Sequence, residues 1–332
     1  MSRRYARAWL LLAPALGAPM AFTMACGSVI PLGSAPDDGG AATRDVGATT
    51  DAGGGGEAGE TGAPFGCVDL PIGRSVRVLT HASKKRTFQV TRAASVDTCA
   101  KMPAIFVFHG FNGTTAENGD RRDVIEAAAA RASALVIAAE GATDANGISG
   151  WSCSGCSSFA ANDDVGLVRA IVAELGLDPA RLSAVGVDVG GSFVHRLAAE
   201  LPLAAGAVFG GVLGVGPSDG ALTRPVASRP VTMILLHGGE DLVFPFDGGR
   251  GARGENVTSF AEAASFWRVA SGCSSAPVIT TTALSTSQRI ACNGSEVRIT
   301  RWPSAKHQVP DFDPDNPDVA LGAIVDRLLA QR

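Results

Sequence analysis

The apolar positions of this chain fall into short continuous runs separated by glycine-rich turns and amphipathic stretches. Ala104-Ile-Phe-Val-Phe108, Ala134-Leu-Val-Ile-Ala138 and Val231-Thr-Met-Ile-Leu-Leu236 are runs of the kind that central parallel strands require. A strand covered on both faces has no reason to alternate. Two earlier stretches, Ser75–Leu79 and Arg86–Val90, do alternate and read as a hairpin with one wet face. Helical patterns fill the intervals, over about 120–131, from an Asn162-Asp163-Asp164 cap to Leu175, over about 257–270 and from Pro317 to Leu329. Residues 207–215 read as a further strand and Glu296–Arg301 as the last one. Strand and helix alternate, so the pattern predicts an α/β fold with a mostly parallel central sheet and helices on both faces.

One stretch organises the rest. Leu182–Val187 is a strand, Val189 onward is a helix, and between them Gly186-Val-Asp188-Val-Gly190 makes a sharp turn. This is the frame of a nucleophile elbow, G-x-S-x-G, with Asp188 where the serine belongs. Elbow glycines two positions before and after remove side chains that would clash in the turn. In such folds the nucleophile comes first, an acid follows a later strand, and a histidine lies near the end. Asp241 after the 231–236 strand and His307 after the last strand supply that order. The acid orients the imidazole and the imidazole moves the proton. Backbone N–H groups of Phe111 and Val189 are the expected oxyanion hole. Trp151 and Lys306 are substrate-pocket candidates, with packing the other reading of Trp151.

The flanks suggest export. Arg3, Arg4 and Arg7 precede an apolar run from Ala8 to Ala25, and the segment 1–26 reads as an export signal. It ends Thr23-Met-Ala-Cys26, similar to a bacterial lipoprotein cleavage box except for Thr23 where leucine is usual. Cys26 is therefore a lipidation candidate, and ordinary signal cleavage near the same point is the alternative. Residues 27–64 are rich in Gly, Ala, Asp and Thr and read as a flexible tether. That leaves 65–332 for one α/β domain. Without Cys26 the chain has an even set of cysteines, suited to an oxidising compartment. Proximity pairs them as Cys67–Cys99, Cys153–Cys156 and Cys273–Cys292.

Charge narrows the partners. The net charge of −4 and the lack of a clustered Lys/Arg face argue against nucleic acid. A membrane is expected only through a lipid at Cys26; the oligomeric state stays open. The single tyrosine, Tyr5, lies in the signal, so no tyrosine acid serves the mature chain. No cofactor and no metal are expected. Gly216-Pro-Ser218-Asp-Gly220 also fits G-x-S-x-G, but Pro225 and Pro230 oppose the helix that an elbow needs. His195 reads as a packing or surface residue, and His109 and His237 as residues that shape loops.

These motifs resemble the secreted esterase branch of the α/β-hydrolases that includes polyhydroxybutyrate depolymerases and feruloyl esterases. The likeness lies in His109-Gly110, Gly150-Trp151, Asp164-Val-Gly-Leu-Val-Arg169, Gly186 with Gly190-Gly191, His237-Gly238 with Asp241, Phe266-Trp267 before Gly272-Cys273, and His307 before Pro310. It spans about 67–330. It implies a cofactor-free Ser–His–Asp hydrolase of small or polymeric carboxylic esters. Two positions depart: Asp188 replaces the serine, and Lys306 replaces a glycine. A carboxylate attacks acyl carbon poorly, since the adduct expels it again and otherwise yields a mixed anhydride. Three readings follow: an ester hydrolase weakened at the elbow, an inactive ester- or polysaccharide-binding lipoprotein, and an Asp-nucleophile hydrolase acting on epoxides or haloalkanes. Val189 stands where those last relatives carry tryptophan, and no insertion is long enough for their cap. Two carboxylates near His307 predict a raised pKa and a weakened base.

Overall fold

The structure, a computed structural model, describes residues 67–331 apart from 117–118, 218–221 and 228. The expected signal and tether, with Cys26, and Ser218 lie outside the described residues.

A ten-stranded sheet carries the site. Its strands are β1 (Gly73–His81), β2 (Lys84–Arg92), β3 (Met102–Phe108), β4 (Leu135–Ala139), β5 (Leu177–Val187), β6 (Leu203–Phe209), β7 (Thr232–Gly238), β8 (Val278–Thr281), β9 (Thr286–Ala291) and β10 (Glu296–Trp302). The spatial order is β1-β2-β4-β3-β5-β6-β7-β10-β9-β8. The six strands from β4 to β10 in that order run parallel. Antiparallel hairpins, β1–β2 and β8–β9, finish the two edges. The alternating pattern of the first hairpin and the continuous runs of β3, β4 and β7 thus have the predicted pairing.

Each parallel strand feeds both faces. Ala104, Phe106 and Phe108 of β3 enter one core, with α2 (Asp164–Glu174), α3 (Val189–Glu200) and α4 (Phe260–Ala270). Ile105 and Val107 enter the other, with α1 (Gly119–Arg131) and α5 (Leu321–Leu329). Period-two alternation therefore sorts one hydrophobic run into two buried layers. The buried Arg86–Asp164 pair, 2.7 Å apart, ties β2 to the start of α2. All three pairings of cysteines expected from proximity form.

Several expected boundaries move. The strand expected to reach Val215 stops at Phe209, where Gly210 takes φ 61° and turns the chain. The helix expected from Val257 begins at Phe260, because Ser259 and Glu262 form a capping box. Residues 256–257 instead pair with 215–216 and 249–250 in a small sheet. The last helix is split: Pro317–Val319 makes one 3₁₀ turn, Ala320 is extended, and α5 follows. The β8–β9 hairpin had no counterpart in the hydrophobic pattern, and every residue of β8 is exposed.

Candidate active site

Asp188 occupies the tip of the turn between β5 and α3. Its backbone has φ 54° and ψ −123°, a conformation that a non-glycine residue adopts only under constraint. The two elbow glycines explain how the turn is tolerated. A Cβ on Gly186 would lie 2.2 Å from the Gly190 carbonyl oxygen, and one on Gly190 would lie 2.3 Å from that of His109. No other residue type permits this approach of β5, α3 and the end of β3.

The Asp188 side chain does not cap α3. It turns toward β3 instead, and its Oδ2 accepts the backbone N–H of Phe111 at 2.7 Å. That N–H is the expected oxyanion donor, so the elbow carboxylate itself occupies the hole. Val189, whose N–H is the second expected donor, is the first residue of α3. N–H groups in a first helical turn have no acceptor within the helix. Asp188 is 8% exposed, and its Oδ1 is buried without a hydrogen-bond partner. The nearest cation to Oδ1 is His307, with Nε2 at 3.4 Å.

His307 is carried by the loop after β10. Its Nδ1 lies 2.9 Å from Asp241 Oδ2. Asp241 follows β7, and its Oδ1 accepts the N–H groups of Val243 and Phe244 at 2.8 and 2.9 Å. Burial favours the protonated acid, yet the His307 and Phe244 hydrogen bonds outweigh it and hold Asp241 below the ordinary carboxylate range. Burial likewise works against charge on His307, but Asp188 and Asp241 together raise its pKa to about 9. Near neutral pH the site is thus an imidazolium between two carboxylates. The expected rise in the His307 pKa has this double origin.

The structure brings Asp188, Asp241, His307 and the Phe111 N–H together at the carboxyl ends of β5, β7, β10 and β3. The location is the usual one for sites in open parallel sheets. Trp151 does not join them as a pocket residue. It is fully buried, its Nε1 donates to the His109 carbonyl at 3.0 Å, and its ring packs on Phe108 and Phe193. A buried indole needs one partner for its N–H, and the His109 carbonyl satisfies it, so Trp151 serves packing, the other of its two expected roles. Lys306 is exposed beside His307.

The loop-shaping histidines are placed by their ring nitrogens. His109 Nε2 accepts the N–H of Gly141 at 2.8 Å, so Nδ1 bears the proton and donates to the Gly110 carbonyl at 2.7 Å. His237 Nε2 donates to the Phe244 carbonyl at 2.8 Å, and burial lowers its pKa. It braces the turn that presents Asp241. His195 is buried and accepts from Trp267 Nε1 at 2.7 Å, and burial lowers its pKa to about 3. Two contributors were not singled out from sequence. Arg121, from α1, donates to the Val309 carbonyl and to Asp311, anchoring the His307 loop. Arg253 lies with its guanidinium carbon 4.0 Å from the Phe111 ring centre. Neither sits in a motif; both follow from tertiary packing.

The strand order, the elbow and the acid and histidine positions define the α/β-hydrolase fold. No family model matches the chain. A segment of 156 residues is 35% identical to "Putative esterase NocK" of Nocardia uniformis subsp. tsuyamanensis, covering 44% of this chain and 42% of that protein. The chain thus matches less than half the length of this curated relative. Among solved structures, an acetyl xylan esterase from Aspergillus awamori is similar over 75% of this chain and 99% of its own, with 15% identity and a TM-score of 0.49. The Bacillus cereus carboxylesterase is similar over 73% of this chain and 94% of its own, with 12% identity and a TM-score of 0.46.

Proposed function

We propose that this chain is a carboxylic ester hydrolase of the polyhydroxybutyrate depolymerase and feruloyl esterase type, exported and slowed by Asp188. The observation that carries the reading is the Asp241–His307 pair at 2.9 Å, aimed at an elbow whose hole donor is the Phe111 N–H. Three disulfides suit an oxidising compartment. The lipid anchor at Cys26 belongs to the same proposal.

With no serine, water is the nucleophile. Neutral His307 takes a proton from water as the water oxygen attacks the ester carbon. The tetrahedral oxyanion then collapses, and the alkoxide leaves with the proton from His307. Two features slow this route. A base of pKa about 9 is neutral in only about 1% of molecules at pH 7. The oxyanion must also displace Asp188 Oδ2 from the Phe111 N–H. In a serine hydrolase, losing the nucleophile removes about six decades of rate and leaves roughly three to four over water. Hydrolysis of 4-nitrophenyl acetate by the wild type, Asp188→Ser and His307→Ala tests the reading. Slow wild-type turnover that disappears in His307→Ala supports it. Turnover only in Asp188→Ser supports an inactive binding protein instead.

One observation favours a second reading. Asp188 Oδ1 is buried with no hydrogen bond and faces His307 Nε2 at 3.4 Å, while Oδ2 is held by the Phe111 N–H. This division suits a carboxylate that attacks saturated carbon. Oδ1 would displace halide or open an epoxide, whose oxygen takes the proton of His307. The resulting ester has no charge at Asp188, so the His307 pKa falls. For the halide, neutral His307 then deprotonates a water that attacks Cγ, with the developing charge on Oδ2 beside the Phe111 N–H. For the epoxide, His307 is already neutral after its proton transfer; for the halide it first gives its proton to solvent. In both, the adduct collapses by breaking the Cγ–Oδ1 bond, the alcohol leaves with the proton from His307, and the water oxygen stays on Asp188. Labelled water appearing in the Asp188 carboxylate after turnover of an epoxide or haloalkane would establish this route.

A further inference from the structure

Cations of this net acidic chain are mostly consumed by carboxylates, as in the pairs of Arg86, Arg122, Arg131 and Arg298. The loops around the site depart from that habit. Arg253 stacks over the ring of Phe111, whose own N–H is the hole donor. The stacking sets the plane of the guanidinium without neutralising it. Its one acidic partner, Glu255, meets Nε at 3.5 Å, and the two Nη groups have no partner among the described residues. Arg250, in the same loop region, and Lys306, next to His307, carry no ion pair among the described residues. Arg301, near the end of β10, lies over the Phe246 ring at 4.5 Å and has no carboxylate partner there.

A planar fork with two free donors fits a carboxylate in bidentate fashion. A ligand with its scissile carbonyl near the Phe111 N–H has the Phe111 ring, and the guanidinium above it, as neighbours. Inside the site, the His307 imidazolium cancels one of the two carboxylates, and the remaining negative charge repels an anion. Three cations of the surrounding loops, Arg250, Arg301 and Lys306, carry no ion pair among the described residues, and the same loops also hold the carboxylates Glu240 and Asp247, so Arg253 acts through its direct contact rather than through a net positive field. We propose that Arg253 is a specificity-determining residue that selects esters bearing a free carboxylate, such as monoesters of diacids. This inference rests on the ester-hydrolase reading and names its substrate class.

The test compares monomethyl glutarate with dimethyl glutarate, using the full chain and Arg253→Gln. Arg253 is an exposed loop residue, so its replacement leaves both cores intact. Binding is measured by calorimetry, and turnover by titration of released acid. The monoester is expected to bind about tenfold tighter than the diester to the wild type, an effect within the range of one charge-assisted contact. The preference should vanish in Arg253→Gln and shrink at high salt. Equal binding of the two esters by the wild type, or an unchanged preference in Arg253→Gln, overturns the inference. Preferential binding without turnover supports it and counts against the hydrolase reading alone. Turnover of both esters with equal affinity does the reverse.

Discussion

The backbone N–H of Phe111 donates to Oδ2 of Asp188 at 2.7 Å. A group that stabilises a developing oxyanion in an esterase here stabilises a resident carboxylate. An aspartate at the elbow therefore does more than lack a hydroxyl nucleophile: it accepts the Phe111 N–H and, with Asp241, holds His307 protonated. Asp188→Ser should reverse all three effects. Its hydrolysis of 4-nitrophenyl acetate is expected to exceed that of the wild type by at least about a thousandfold, half on a logarithmic scale of what a nucleophile contributes in a serine hydrolase. Equal rates would show that the hole is not limiting.

The pH dependence of the proposed wild-type hydrolysis follows from the same geometry. A base must be neutral to accept a proton, and His307 is held charged up to about pH 9. Log kcat/KM should climb with a slope near one through neutral pH and level off above about 9. A profile already flat by pH 7 would contradict the two-carboxylate environment.

Stability should carry the opposite pH dependence. A histidine whose folded pKa is raised stabilises the fold fully below its unfolded pKa of about 6.5, and the contribution is lost as pH rises through about 9. The shift corresponds to at most about 3 kcal/mol. Asp188→Asn removes one of the two causes. Denaturant unfolding should show a gap between wild type and Asp188→Asn that is larger at pH 6 than at pH 10. A gap independent of pH would exclude the ion pair as its source.

Away from the site, Arg86 and Asp164 form a pair with 6% and 0% side-chain exposure. Asp164 Oδ2 also accepts the N–H of Ser152 at 2.7 Å, beside Trp151 and the Cys153–Cys156 bridge. Arg86→Met leaves an uncompensated buried carboxylate and should cost about 3–5 kcal/mol by urea unfolding. Adding Asp164→Asn should recover part of that loss. A loss under about 1 kcal/mol in the single variant would place water around Asp164.

Much of this architecture was legible in the chain. Continuous runs marked β3, β4 and β7, since burial on both faces leaves no alternation. The elbow was legible because Gly186 and Gly190 answer a steric demand that backbone geometry imposes whatever residue lies between them. The order of Asp188, Asp241 and His307 was readable because each follows the carboxyl end of a strand that the hydrophobic pattern marks. What was not readable depended on direction rather than identity. Nothing in the sequence says that the Asp188 carboxylate turns away from α3 and toward the Phe111 N–H, because three-dimensional contacts select that rotamer. Of the two readings of Trp151, pocket residue and packing, its full burial fits packing. The β8–β9 hairpin was missed because its exposed Thr- and Ser-rich strands carry no hydrophobic signal.

Asp188 and Asp241 jointly hold His307 as an imidazolium. NMR titration of the His307 ring in the wild type and in Asp188→Ser measures it directly. The wild-type pKa should lie near 9 and should fall clearly in the variant, where one of the two carboxylates is gone. A wild-type value at or below 6.5, or an unchanged value in Asp188→Ser, would contradict it.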